Sequence, residues 1–193
     1  GFEKMCSLLP NVHLAKAKET LRSLFMDSDM MVQQRIAESL PSLCKSFLAY
    51  FGNDASRVAF LSNVLSFVSS YESKIRSNWR RVKSLIDCFP DLMAFLPASD
   101  IVMSLLPIVL THITYGAQAL KDECAELIIA CLRKCVELKA DKTILTTACN
   151  RTLKLTASAS APARVAFIQL SVKFAVELKE ESFVACFEQA LIS

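Results

Sequence analysis

The chain has 193 residues, of which 53% are hydrophobic and 21% charged, with a formal net charge of +3. That much apolar side chain excludes an intrinsically disordered chain, and the near-balanced charge supplies no broad basic surface for nucleic acid. Three glycines are present where average usage gives about thirteen, too few for the turns of a β-sandwich or the phosphate loops of a doubly wound fold, so composition predicts an all-α protein.

Residues 1–11 are ambiguous, with Cys6-Ser7-Leu8-Leu9-Pro10 reading as the tail of an earlier helix. Helix-length segments are then predicted at about 12–26, 30–51, 54–69, 77–96, 99–115, 117–138, 141–157, 162–178 and 181–191. Asp27, Ser28 and Asp29 offer N-cap side chains just before Met30. Gly52 follows the apolar Ala49-Tyr50-Phe51 as a helix stop, and Asn53 and Asp54 can cap the next start. Ile101 to Leu120 runs twenty residues without a charge, the length of a membrane helix. Pro107, His112, Gly116 and Gln118 interrupt it, so it is read as two buried helices that meet near Tyr115, with Gly116 as a C-terminal cap and no membrane span. Ser160-Ala161-Pro162 puts proline where a first helical turn tolerates it.

Self-comparison reveals a repeat. Ile36-Ala37-Glu38-Ser39-Leu40-Pro41-Ser42-Leu43 lies over Leu85-Ile86-Asp87-Cys88-Phe89-Pro90-Asp91-Leu92 at an offset of 49 residues. A looser copy, Ile128-Ile129-Ala130-Cys131-Leu132, follows 43 residues later. Each copy falls late in a pair of helices. A proline inside a helical pattern costs about 3 kcal/mol, so Pro41 and Pro90 at equivalent places predict a shared kink; the alternative is that each ends its helix.

Leu21-Arg22-Ser23-Leu24-Phe25-Met26-Asp27-Ser28-Asp29-Met30-Met31-Val32, running into Ala37-Glu38-Ser39-Leu40, resembles a HEAT repeat: an outer helix, an Asp-bearing turn and an inner helix with Val, Ala and Leu at set spacing. HEAT repeats usually place Arg after that Val; Gln33 stands there, which argues against an Asp–Arg ladder at this joint. Asn78-Trp79-Arg80-Arg81-Val82-Lys83-Ser84-Leu85-Ile86-Asp87-Cys88-Phe89-Pro90 resembles a segment of the scaffolding A subunit of protein phosphatase 2A and of related protein phosphatase 4 subunits. The family pattern there is Trp-Arg-Val-Arg; here the third and fourth residues are exchanged, as Arg81-Val82.

These resemblances imply an α-solenoid, a superhelix of about four HEAT-like antiparallel helix pairs. The expected pairs are 12–51, 54–96, 99–138 and 141–178, with a terminal helix at 181–191, in one solenoid domain over 1–193. The absent initiator methionine and the apolar last helix are expected of a fragment of a longer array. The phosphatase resemblance implies that Asn78, Trp79 and Arg80 lie on the ridge that holds a phosphatase catalytic subunit. Lys74, Arg76, Arg80, Arg81 and Lys83 place five cations in ten residues around Trp79, and Trp with Arg is the usual makeup of an interface hot spot. The candidate partner-binding residues are therefore Asn78, Trp79, Arg80, Arg81 and Lys83; the alternative is that Trp79 packs at a joint and the cations are simply solvated.

No enzymatic constellation is visible. His13 and His112 are far apart in sequence, and neither a glycine-rich phosphate loop nor a nucleophile elbow exists. Glu180 and Glu181 sit where a helix begins, as the macrodipole favours. The eight cysteines are scattered in apolar surroundings, and Cys131 and Cys135 share a helix face without a second pair nearby. They read as reduced, packed thiols in a cytoplasmic or nuclear protein, with no metal and no cofactor. The expectation is a non-catalytic scaffold or regulatory subunit of a serine/threonine phosphatase. The alternatives are a transport receptor that uses its concave face and a nucleic-acid-binding HEAT protein, against which the lack of further cations on neighbouring turns argues.

Overall fold

A computed structural model of the chain describes residues 11–51, 54–159 and 161–177. The helix expected at 181–191, Glu180, the tail at 6–10 and Gly52 lie outside the described residues, as does the side chain of His13. The described residues are all-α, with helices and no strand. They fall into two compact units, Gly1–Phe95 and Leu96–Ser193.

In the first unit, α1 (Asn11–Phe25) and α2 (Met30–Tyr50) pack as neighbours, and α3 (Asp54–Ile75) packs on α2 and on α4 (Trp79–Ile86). The short α5 (Phe89–Met93) and α4 both lie against α2, which therefore touches every other described helix of the unit. Phe25 stacks on Phe67 at 4.9 Å and Phe67 on Tyr71 at 5.7 Å, tying α1 to α3. Asp29 caps α2, accepting the N–H of Met31 at 2.6 Å and of Val32 at 3.4 Å. Gln33, buried in the place of the expected Arg, turns back on its own repeat: its Nε2 donates to the Asp27 carbonyl at 2.6 Å.

The repeated columns share one burial pattern. Ile36, Ala37, Leu40 and Leu43 are buried, and so are Leu85, Ile86, Phe89 and Leu92, their counterparts in the next copy. The two prolines behave differently, which corrects the expectation of a shared kink. Helix α2 continues through Pro41, whereas the span expected to be one helix over 77–96 divides, with Asp87 and Cys88 between α4 and α5 and Pro90 in the first turn of α5. Pro41 has no N–H to give to the carbonyl four residues earlier, that of Ala37. The thiol of Cys88, just past the end of α4, reaches that carbonyl, with Sγ 3.5 Å from the Ala37 oxygen and 3.4 Å from that of Ser84. Helix α3 also runs past the expected end at 69, because Tyr71, Glu72 and Ile75 extend its buried face.

In the second unit, α6 (Ala98–Tyr115) is a continuous rod with a π-helical turn at Ile101–Leu105. That widened turn directly precedes Leu106 and Pro107, so it admits a proline that a regular helix would clash with. The rod is long and apolar enough to cross a membrane, and half of it is buried inside the protein. Its apolar residues have a use there: Ile101, Leu105, Leu106, Val109 and Ile113 are fully buried. It packs mainly on α7 (Lys121–Glu137), which follows a single 3-10 turn at Gln118–Leu120. Helix α8 (Lys142–Leu153) rests on α7 and α6, and α9 (Ala161–Glu177) packs chiefly on the same two helices. Ile128, Ile129, Cys131 and Leu132 of the third repeat copy are all buried on α7.

Two helix ends use glycine's chemistry unexpectedly. Gly116 caps α6 in extended backbone, φ −74° and ψ 173°, and a Cβ there would collide with the His112 carbonyl oxygen, so close approach requires the glycine. The left-handed cap falls instead on Lys139, φ 51°, at the end of α7. Its N–H bonds the Val136 carbonyl at 2.9 Å and the next N–H, of Ala140, reaches Cys135 at 3.0 Å, the bond pattern of a Schellman cap.

Two outcomes follow from these ends and joints. Lys139→Gly relieves the Cβ strain of the left-handed position and should stabilise the protein by about 1 kcal/mol, read as a rise of roughly 2–4 °C in melting temperature. Cys88→Ala removes the donor to a buried carbonyl and should cost about 1 kcal/mol, whereas Cys88→Ser, which keeps a donor, should cost less; urea unfolding of the three proteins distinguishes them.

Candidate protein-binding edge

The sequence-predicted residues sit where α3 turns into α4. The turn is tight, with the Asn78 N–H bonded to the Ile75 carbonyl at 2.7 Å. Asn78 then caps α4, its Oδ1 accepting the Arg81 N–H at 3.3 Å. Its side-chain oxygen thus has a structural job. Trp79 opens the helix with 36% of its surface exposed, large for a tryptophan in so apolar a chain. The Arg80 guanidinium lies over the Trp79 ring, 4.7 Å from its centroid. Val82, Leu85 and Ile86 face the core, while Trp79 and Arg80 are exposed at the helix start and Arg81 is half-buried.

The five cations do not act alike. Arg76 makes two hydrogen bonds to Glu72, at 3.0 and 2.9 Å, and Glu72 is buried, so this pair is built into the unit. The bonding holds the guanidinium charged and raises the Arg76 pKa. Lys83 bridges Asp87 at 3.0 Å along α4. Both are four-residue spacings that the sequence carries openly, although neither acid was singled out there. Lys74, Arg80 and Arg81 have no acidic partner within ion-pair distance among the described residues. Arg80 and Arg81 lie in the first turn of α4, which holds no acid, and the positive end of the helix dipole disfavours cations there by a few tenths of a kcal/mol each, at least roughly.

Behind this face stands Tyr71, which the sequence did not mark. Its hydroxyl is buried without a hydrogen-bond partner. Burial raises its pKa; the Arg81 charge opposes the shift and Glu38 adds to it. Tyr71 also ends an aromatic column that runs through Phe67 to Phe25.

Elsewhere the chemistry is quiet. His112 is buried in α6. Among the described residues no group of His, Cys, Asp or Glu is arranged to hold a metal ion. Burial pushes the thiols of Cys44, Cys124 and Cys131 up to about 12, and those of Cys88 and Cys135 to about 11. A thiol so far from ionising is a poor nucleophile and a poor ligand, consistent with cysteine used as a small apolar side chain.

No protein family, no characterised protein and no solved structure matches this chain in the comparisons made with each.

The thiol environment gives a direct measurement. Mass-mapped alkylation at neutral pH should leave Cys44, Cys124, Cys131 and Cys135 unmodified in the native protein and label them fully in denaturant.

Proposed function

We propose that this chain is a non-catalytic protein-binding scaffold of HEAT-like helical pairs, which holds a partner against the edge formed by Trp79, Arg80 and Arg81. The observation that carries the reading is the exposed Trp79 ring with Arg80 stacked on it at a helix start. The exposed part of the tryptophan ring and two cations at the positive end of a helix are costs to the free protein that the Arg80–Trp79 stack offsets only in part. Buried under a partner, the same groups form the kind of Trp–Arg centre that dominates interface energies. The repeated burial of the second-helix columns supports a repeat architecture, in which turns rather than helix faces remain open for a partner.

The segment from Asn78 to Pro90 supports a particular partner, the catalytic subunit of a type 2A-like serine/threonine phosphatase. The scaffold's contribution is presentation: it fixes the enzyme at one edge and orients a substrate or further subunit beside it. Reduced, buried thiols suit a cytoplasmic or nuclear setting. A nucleic-acid role is less well supported, because Arg76 and Lys83 are already paired with acids and the turn at 27–29 is itself acidic.

Titration of the purified catalytic subunit against this chain by calorimetry tests the reading. Trp79→Ala combined with Arg80→Ala should weaken binding by about 30-fold or more, the loss of one hot-spot pair, while the melting temperature moves only a few degrees. Unchanged affinity in the double variant would remove the edge from the interface. Failure of the unaltered chain to bind would remove the phosphatase.

A further inference from the structure

Within the first unit, α1 and α3 meet at Phe25 and Phe67 and leave a groove of about 510 Å³ toward the end of α2. Its floor is aromatic: Phe25, Phe51 and Phe60, all buried, with Phe51 and Phe60 5.5 Å apart. Lys18 and Arg22, one helical turn apart on α1, stand along one wall, and Asn63 of α3 stands on the other. Lys18 lies over the Phe51 ring, its Nζ 5.0 Å from the centroid, and neither cation has an acidic partner within ion-pair distance among the described residues. Glu19 also borders the mouth, so the rim carries two cations to one anion. The groove is partly open to solvent, and its volume is that of a ligand site.

We propose that this groove is a docking site for a short acidic peptide segment that carries an apolar anchor. The phenylalanine floor takes the anchor side chain, an aromatic or a leucine-like one. Carboxylates flanking the anchor meet Lys18 and Arg22. Asn63, whose side chain makes no hydrogen bond among the described residues, is placed to bond the peptide backbone. An enclosed metabolite site would cover its ligand on all sides; this groove is partly open and leaves room for the chain of a peptide to enter and leave. The charge excess selects acidic over basic segments. The site lies on α1 and α3 and shares no residue with the edge at Trp79, so the two readings stand or fall separately.

Fluorescence anisotropy of a short labelled peptide, with a Leu-Phe pair between Asp and Glu residues, tests this on the full chain. Saturable binding should weaken with added salt and fall about tenfold or more in Lys18→Ala with Arg22→Ala, the effect of two rim charges. Ala59→Trp, which fills the groove from an exposed position, should abolish it while circular dichroism stays unchanged. Trp79→Ala should bind the peptide as the unaltered chain does. The proposal is overturned if the acidic peptide does not bind, if the double variant binds it equally well, or if a peptide with Lys at every acidic position binds as tightly. Binding of laurate without binding of the peptide would overturn it too, by assigning the groove to an amphiphilic anion.

Discussion

The organisation of each unit depends on one constraint: a helix that is covered on most of its circumference. In the first unit α2 is that helix, packed by α1, α3, α4 and α5; in the second it is α7, packed by α6, α8 and α9. A helix so placed cannot show the clean polar face of a surface helix. Ile36, Ala37, Leu40, Leu43, Cys44, Phe47 and Leu48 are all buried on α2, as are eight positions of α7 from Cys124 to Cys135. Small side chains are needed where helices approach closely, and cysteine fills that need here with thiols that stay protonated. High hydropathy in this chain is accordingly a matter of layering, and α6 carries it furthest.

The same constraint decides how backbone defects are tolerated. A carbonyl freed by proline on a surface helix finds water; on a covered helix it must find a protein donor. The Cys88 thiol lies within reach of the Ala37 carbonyl, its one proton shared between that oxygen and the one of Ser84, where α2 continues through Pro41. The equivalent helix of the next repeat has no such continuation. It tightens, with the Cys88 N–H on the Leu85 carbonyl at 3.2 Å, and starts again as α5. Two identical sequence columns thus resolve differently because their neighbours differ, and proline's local rule could not foresee it.

That contrast marks how far the sequence could be read. The columns Ile36/Leu85, Ala37/Ile86, Leu40/Phe89 and Leu43/Leu92 are legible because burial follows periodicity, which is local information. So are the cap at Asp29 and the break at Gly116; the cap at Asp141, which accepts the Ile144 N–H at 2.9 Å, went unread. The end of α3 was misplaced because tertiary burial of Tyr71, Glu72 and Ile75 carries the helix past 69. A glycine-poor chain also puts its left-handed cap on a lysine, for which no compositional signal exists. Of the edge, Trp79 and its cations were visible as a cluster; the i, i+4 pairs that occupy Arg76 and Lys83 stand in the sequence but went unread, and the burial of Glu72 needed coordinates. The groove was invisible, since Lys18, Phe51 and Phe60 meet only when three helices assemble.

How each cation is held separates fold from function. Arg35, Arg76, Lys83, Lys134 and Lys173 each sit against an acid, Glu38, Glu72, Asp87, Glu137 and Glu126 respectively. Those charges are neutralised at home and project little field beyond their own helices. Lys18 and Arg80 are held otherwise, over the faces of Phe51 and Trp79. A ring face restrains a cation by about 0.5–1 kcal/mol at such sites without cancelling its charge. Restraint lowers the entropy lost when an anion arrives, and an uncancelled charge leaves the full attraction to be gained. A cation on an aromatic face is therefore a better half of an interface than a cation in a surface salt bridge, which must first give up its own partner. Both such cations in the described chain border a place where apolar surface is also accessible, one at an exposed tryptophan and the other above a phenylalanine floor. The coincidence of restrained charge with reachable apolar area is what distinguishes these two positions from the rest of the surface.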